Sequence, residues 1–127
     1  MLAGTEVATE YKLDVLVIAH DRIELTIKCL NALYSYTNSP FHLIVVDDST
    51  DLTPLWFAKF QKQHDNITYI HSDEPYTSGN QIFNIGFAHT KTDYVVTLMN
   101  SCTVEPDWEL QALHLMETHK DVGIIGF

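Results

Sequence analysis

Short aliphatic runs alternate with longer stretches of helical spacing along the whole chain, and this alternation restricts the fold more than any other feature. Leu13 to Ala19 (LDVLVIA), His42 to Asp47 (HLIVVD), Ile67 to His71 (ITYIH), Tyr94 to Met99 (YVVTLM) and Val122 to Phe127 (VGIIGF) read as strands. The β-branched, aliphatic character of the first two fits strands buried on both faces. Between them the period changes. Arg22 to Tyr36 sets Ile23, Ile27, Leu30 and Tyr34 at helical intervals, with Glu24 and Lys28 as a supporting i,i+4 pair, before Asn38-Ser39-Pro40 ends the helix. A second helix takes Thr53 as its N-cap and Pro54 as its first residue, with Leu55, Trp56 and Phe60 on one face. Ser78 to Thr90 predicts a third, carrying Ile82, Phe83, Ile85 and Phe87. Pro106 to His119 predicts a fourth, with Trp108, Ala112, Leu115 and Met116 inward. The expected class is α/β: a three-layer sandwich with a mostly parallel sheet, helices on both faces and right-handed crossovers. A loose polar leader over 1–11 precedes one domain over 12–127.

Composition removes several function classes. Of the 127 residues, 7 are Lys or Arg and 17 are Asp or Glu, a formal charge of −10. Phosphate affinity rests on clustered basic residues, so nucleic acid is not an expected partner. No apolar run approaches the ~20 residues of a transmembrane segment. The opening residues lack the basic and apolar regions of a signal peptide. Cys29 and Cys102 are too few for a disulfide framework or a zinc cage, and the chain reads as cytoplasmic.

Ligands of open parallel sheets bind beyond the carboxyl ends of the strands, near the point where strand order reverses. That rule selects His20-Asp21-Arg22, Asp47-Asp48-Ser49-Thr50, the segment 72–84 and Asn100-Ser101-Cys102. Three carboxylates at 47, 48 and 51 repel one another and need donors, a cation or solvent to stay ionised. Asp48, facing the crevice, suits the imide N–H of a uracil or a sugar hydroxyl; Asp51 suits a helix cap. His20 is placed to stack on a base or to act as one. His64, His71, His114 and His119 read as ordinary surface residues. Neither a Gly-x-x-x-x-Gly-Lys-Ser/Thr loop nor Gly-x-Gly-x-x-Gly follows a strand, so the P-loop and dinucleotide readings lack their motifs.

Four pieces of the chain, in order and in register, resemble family 2 glycosyltransferases of the GT-A fold. VLVIAHDRIELTIKCLNAL is similar to the family's opening strand, polar turn and Cys-Leu-x-Ala/Ser-Leu helix. VVDDSTD resembles Val-Asp-Asp-Gly-Ser-x-Asp, SGNQIFNIGFAHTKTDYVVTLMNS the stretch before the metal motif, and CTVEPDW the residues after it. The resemblance runs over about residues 13–127 and covers the N-terminal, nucleotide-sugar-binding half of such enzymes. It implies a nucleoside-diphosphate sugar as partner, a UDP-sugar if a uracil contact selects it. The nucleotide-binding set it implies is Ala19, His20, Arg22, Asp48, Ser78, Asn84 and Asn100. Asp48 matches the uracil-contacting aspartate and His20 the aromatic that stacks on the base. Asn84 matches the asparagine bracing the nucleotide loop, while Ser78 replaces the loop's usual arginine.

The family's cofactor is a divalent metal, Mg²⁺ or Mn²⁺, held by Asp-x-Asp or Asp-Asp. Here that position reads Asn100-Ser101-Cys102, without the carboxylate oxygens such ions favour. No metal ligand is therefore assigned, and Arg22 is the nearest substitute cation. No catalytic base is assigned either, since the family's acceptor half is not among these residues. The leading expectation is a glycosyltransferase-like protein whose family reaction moves a sugar to an acceptor hydroxyl. The alternative is a catalytically degenerate binding or interaction module. Either form is expected to self-associate through apolar surface at the last strand. A phosphoacceptor receiver domain fits less well, because its acidic pair follows strand one rather than strand two.

Overall fold

The computed structural model describes residues 10–126. Eight elements follow one another: β1 (Leu13–Ala19), α1 (Ile23–Tyr36), β2 (Phe41–Asp47), α2 (Thr53–Gln63), β3 (Ile67–His71), α3 (Gly79–Phe87), β4 (Val95–Met99) and α4 (Trp108–Thr118). The sheet is parallel throughout, in the order β3-β2-β1-β4. β1 and β2 are buried at every residue, as their unbroken apolar runs require.

Side-chain alternation sorts the layers. Leu13, Val15, Val17 and Ala19 point to one face and join Leu43 and Val45 with Cys29, Leu30 and Leu33 of α1 and Phe57 and Phe60 of α2. Trp108 and Leu113 of α4 pack on the same side. Leu16, Ile44 and Val46 point the other way, against Ile82, Phe83 and Ile85 of α3. This division follows from crossover handedness. β1-α1-β2 and β2-α2-β3 step in one direction across the sheet, whereas β3-α3-β4 steps back, so a right-handed crossover puts α3 on the opposite face. α3 approaches closely through Gly86, where an added Cβ would lie 2.6 Å from both Leu16 methyls.

Two buried acids tie loops to this frame. Glu109 accepts from the backbone N–H groups of Asn38 and Ser39 and from the Ser39 hydroxyl, fastening α4 to the end of α1. Asp14 accepts from Lys91 N–H, Thr92 N–H and the Thr92 hydroxyl, and lies 2.7 Å from His42 Nδ1. His42 Nε2 is 2.8 Å from Thr68 Oγ1. Burial holds the His42 pKa below its ordinary value, so the imidazole stays neutral and its charging opposes the native state as pH falls.

Several sequence expectations are corrected. No fifth strand forms over 122–126, and Phe127 lies outside the described residues. Gly123 and Gly126 interrupt that run, the Val122 N–H bonds to His119, and Ile124 is 92% exposed. On α2 it is Phe57 that is buried while Leu55 is exposed; on α4 Leu113 packs inward and Leu115 is exposed. Phe87 of α3 is exposed as well. Glu24 pairs with Arg22 at 2.6 Å rather than with Lys28. Thr53 begins α2 instead of capping it, since the Asp51 carboxylate accepts the Thr53 N–H. Asp107 stands at the N-cap position of α4, and its carboxylate accepts from the Asn38 side-chain amide. Tyr11, assigned to the leader, stacks on His42 at 5.6 Å, and residues 1–9 are outside the described part.

Replacing Gly86 with Val should cost about 1–3 kcal/mol, because the clash with a fully buried Leu16 outweighs the small gain in helix propensity. Urea unfolding with an unchanged slope and a lowered midpoint would show this.

Candidate functional site

Strand register brings the candidate residues to one rim. Ala19 lies beside Asp47, and Asp47 beside His71, while Ile18 lies beside Met99. The next backbone groups continue the ladder: Asp48 N–H bonds to Ala19, Ser72 N–H to Asp47 and Asn100 N–H to Ile18. The chain therefore leaves β1, β2, β3 and β4 at one level, and strand order reverses between β1 and β4.

The turn after β1 is unusual. Asp21 and Arg22, neither of them glycine, have left-handed backbones with φ of 51° and 56°. Such conformations persist where the surroundings over-determine them. Here they do. The Asp21 N–H donates to Ser49 Oγ at 2.7 Å, and the Asp21 carboxylate accepts from the N–H groups of Thr50 and Asp51. Asn100 donates its side-chain amide to the Asp21 carbonyl at 3.0 Å and to Thr26 Oγ1 at 3.1 Å. Asp51 accepts from Thr53 N–H and Ile23 N–H, joining the starts of α2 and α1. Burial works against that carboxylate, but these donors outweigh it and hold its pKa below the ordinary value.

The neighbouring acids divide their work. Asp47 is spent internally, accepting from Ser49 N–H at 2.8 Å and from the Tyr69 hydroxyl at 2.5 Å. Asp48 turns to the rim. One of its oxygens lies 2.7 Å from His20 Nδ1, and the other accepts the Tyr76 N–H at 3.2 Å. The Asp48 hydrogen bond and charge raise the His20 pKa above 6.5, with smaller help from Asp21 and Asp47 against slight desolvation. The result is a charge-assisted pair at the strand-end rim, a buried acceptor beside an exposed aromatic ring.

The other sequence candidates are placed as follows. Ala19 is buried and contributes its carbonyl to the Asp48 N–H. Arg22 is exposed and its guanidinium is drawn to Glu24. Ser78 is the N-cap of α3, accepting the Gln81 N–H at 3.2 Å. Asn84 is exposed one turn further along α3. Asn100 braces the β1 turn with its amide nitrogen, whereas Ser101 and Cys102 are exposed in the turn after β4. Tyr76 falls within the 72–84 segment that the sequence selects, but the sequence assigns it no role there, because a backbone N–H carries no residue signature. Ser49 likewise lies in the selected Asp47-Asp48-Ser49-Thr50 stretch, and the structure adds its role as acceptor of the Asp21 N–H.

A family model for glycosyl transferase family 2 matches residues 14–127. The chain belongs to this family. Solved structures agree on the fold. S. aureus TarS 1–349 in complex with UDP-GlcNAc superposes with a TM-score of 0.75 at 18% identity, covering 91% of this chain and 37% of that one. The mannosyltransferase PcManGT from Pyrobaculum calidifontis, in complex with GDP-Man and Mn²⁺, gives 0.63 at 21% identity over 73% of this chain and 28% of its own. A second structure of S. aureus TarS gives 0.74 at 18% identity, with 86% of this chain matching 20% of that one. The chain thus spans between a fifth and about two fifths of the structures it resembles. No curated protein matches it.

The family's metal does not fit the residues at its usual place. The Asn100 amide is committed to the β1 turn, and Ser101 and Cys102 offer no carboxylate oxygen. Hard divalent cations need such oxygens. Among the described residues no group of three or more His, Cys, Asp or Glu is arranged to hold a metal ion, and no helix is long and apolar enough to cross a membrane.

Asp48→Asn should lower the His20 pKa towards 6.5, since the largest stabiliser of the imidazolium is removed. NMR titration of the His20 ring protons in both proteins reads this directly; an unchanged midpoint would disprove the pairing.

Proposed function

We propose that this family 2 domain binds a nucleoside-diphosphate sugar at the rim of β1, β2 and β4, with Asp48 as the acceptor for the nucleobase. The observation that carries the reading is the buried carboxylate at the strand-end rim whose side-chain partner is movable and exposed, Asp47 and Asp51 being spent on the fold. A carboxylate is acceptor-only when ionised, and it therefore selects a base presenting an N–H, as the uracil imide does. His20 adds a ring beside it. Ser78 and the first backbone N–H groups of α3 stand near enough in the chain to serve the diphosphate, and Asn84 and Arg22 complete the set. The UDP-GlcNAc and GDP-Man carried by two of the similar structures support a nucleotide sugar as the ligand.

The reaction of such a donor is transfer of its sugar to an acceptor hydroxyl. The acceptor oxygen attacks the anomeric carbon, a base takes the hydroxyl proton, and the diphosphate departs with the bonding electrons. None of the described residues is assigned as that base. The second reading is a binding module without turnover, favoured by the neutral Asn100-Ser101-Cys102 where hard ligands would stand. Sugar transfer to any acceptor separates the two.

Calorimetry with UDP-GlcNAc tests the site. Asp48→Ala should weaken binding by about 1–3 kcal/mol through loss of a buried hydrogen bond, and Mn²⁺ should change the affinity little. Introducing Ser101→Asp with Cys102→Asp should create a metal dependence. Equal affinity in the wild type and Asp48→Ala removes Asp48 from the site, and strong Mn²⁺ dependence of the wild type removes the metal-free reading.

We also infer association between copies. β4 is a sheet edge among the described residues, and Val95 and Met99 are exposed on it. Light scattering should give a mass above the 14.5 kDa of one chain at high micromolar concentration; a clean monomer would refute it.

A further inference from the structure

If a base is to meet Asp48, something stands in its way. The Asp48 side chain is 9% exposed, and the imidazole bonded to it is 64% exposed, so His20 is the outer of the two groups. The carboxylate is engaged on both sides, at Oδ1 by His20 Nδ1 and at Oδ2 by the Tyr76 N–H. Tyr76 contributes backbone, which cannot leave without moving the whole loop. His20 contributes a side chain hinged at one end, with its other nitrogen 3.9 Å from Asp21. The movable partner is the imidazole.

We propose that His20 is a built-in plug of the Asp48 site, occupying the acceptor oxygen that a nucleobase N–H requires and swinging off it when the nucleotide binds. The inference rests on the reading of Asp48 as the base acceptor and adds a regulation of that site. The charged groups acting on His20 are acidic: Asp48 at the end of β2, Asp21 in its own turn and Asp47 behind. The nearby cation, Arg22, is turned to Glu24. In the plugged state all three acids favour the imidazolium. Once displaced into solvent, the ring loses its largest stabiliser and its pKa falls back towards 6.5.

The sign of the coupling follows. Between those two pKa values the plugged protein holds a proton that the complex does not, so binding releases it. Affinity should rise with pH through that window and level off on either side. The opposite use of His20, as a cation for the diphosphate, gives affinity that falls with pH. The two uses of one residue are distinguished by sign alone.

UDP-GlcNAc is a suitable probe, because its diphosphate is a diester that stays fully ionised across the range. Titration from about pH 5.5 to about pH 8.5 should show severalfold tightening, with proton release visible as a buffer-dependent heat. His20→Phe keeps a ring but removes the donor, and should bind with a flat pH profile and more tightly than the wild type at the acid end. Binding that depends on Asp48 yet is flat with pH, or tighter in acid, overturns the plug and leaves the nucleotide reading intact. No binding by either protein at any pH overturns both.

Discussion

The parallel pairing of β1 between β2 and β4 is the constraint on which the rest of this molecule depends. β1 is buried at all seven residues, and its partners are fixed by register on both sides. In a parallel sheet every strand ends at the same edge, so the polar residues that follow each apolar run emerge together. A slip of one residue would turn Asp14 into the α1 and α2 layer and Val15 away from it. The site is thus a by-product of packing: the core sets the strands level, and the levelled ends set Asp48 beside His20.

Polar groups complete what apolar burial starts. The β1 turn would not hold two left-handed non-glycine residues by itself. It is held from β2 by Ser49, Thr50 and Asp51 and from β4 by Asn100. Asn100, at the position where the resemblance implies a metal-binding acid, serves as a strut. In the proposed reading, the charge of the donor's diphosphate would be met by groups other than a metal, and the acidic balance of the chain would make that demand heavier. A donor bound through its base, with little metal contribution, is consistent with both facts.

Buried acids have two roles in this fold, and the difference lies in their donors. Asp14 and Glu109 each accept several N–H or O–H groups from loops far along the chain, which neutralises the cost of burying charge. Asp47 does the same nearer the rim. Asp48 has one fixed backbone donor and one movable side chain, and that imbalance is what singles it out as the proposed acceptor for the base.

The alternation of apolar runs and helical spacing determined, by itself, the four parallel strands, the four helices and the end of the sheet at which chemistry should lie. For β1 and β2 local pattern suffices because burial on both faces leaves an unbroken signature, and VVDDSTD following such a strand marks the rim; β3 is half-buried and β4 alternates between half-buried and exposed residues. The pattern was weaker where burial is decided by distant neighbours. Leu55 and Phe57 sit two residues apart on α2, and only the placement of Tyr69 and Phe60 selects Phe57 for the core. The run VGIIGF is as apolar as a strand, yet a strand exists only through a partner's hydrogen bonds, and those are not written in the segment. The division of labour among Asp47, Asp48 and Asp51 belongs to the tertiary structure as well. Adjacent carboxylates are alike in sequence; Tyr69, His20 and the start of α2, each brought in by the fold, make them different.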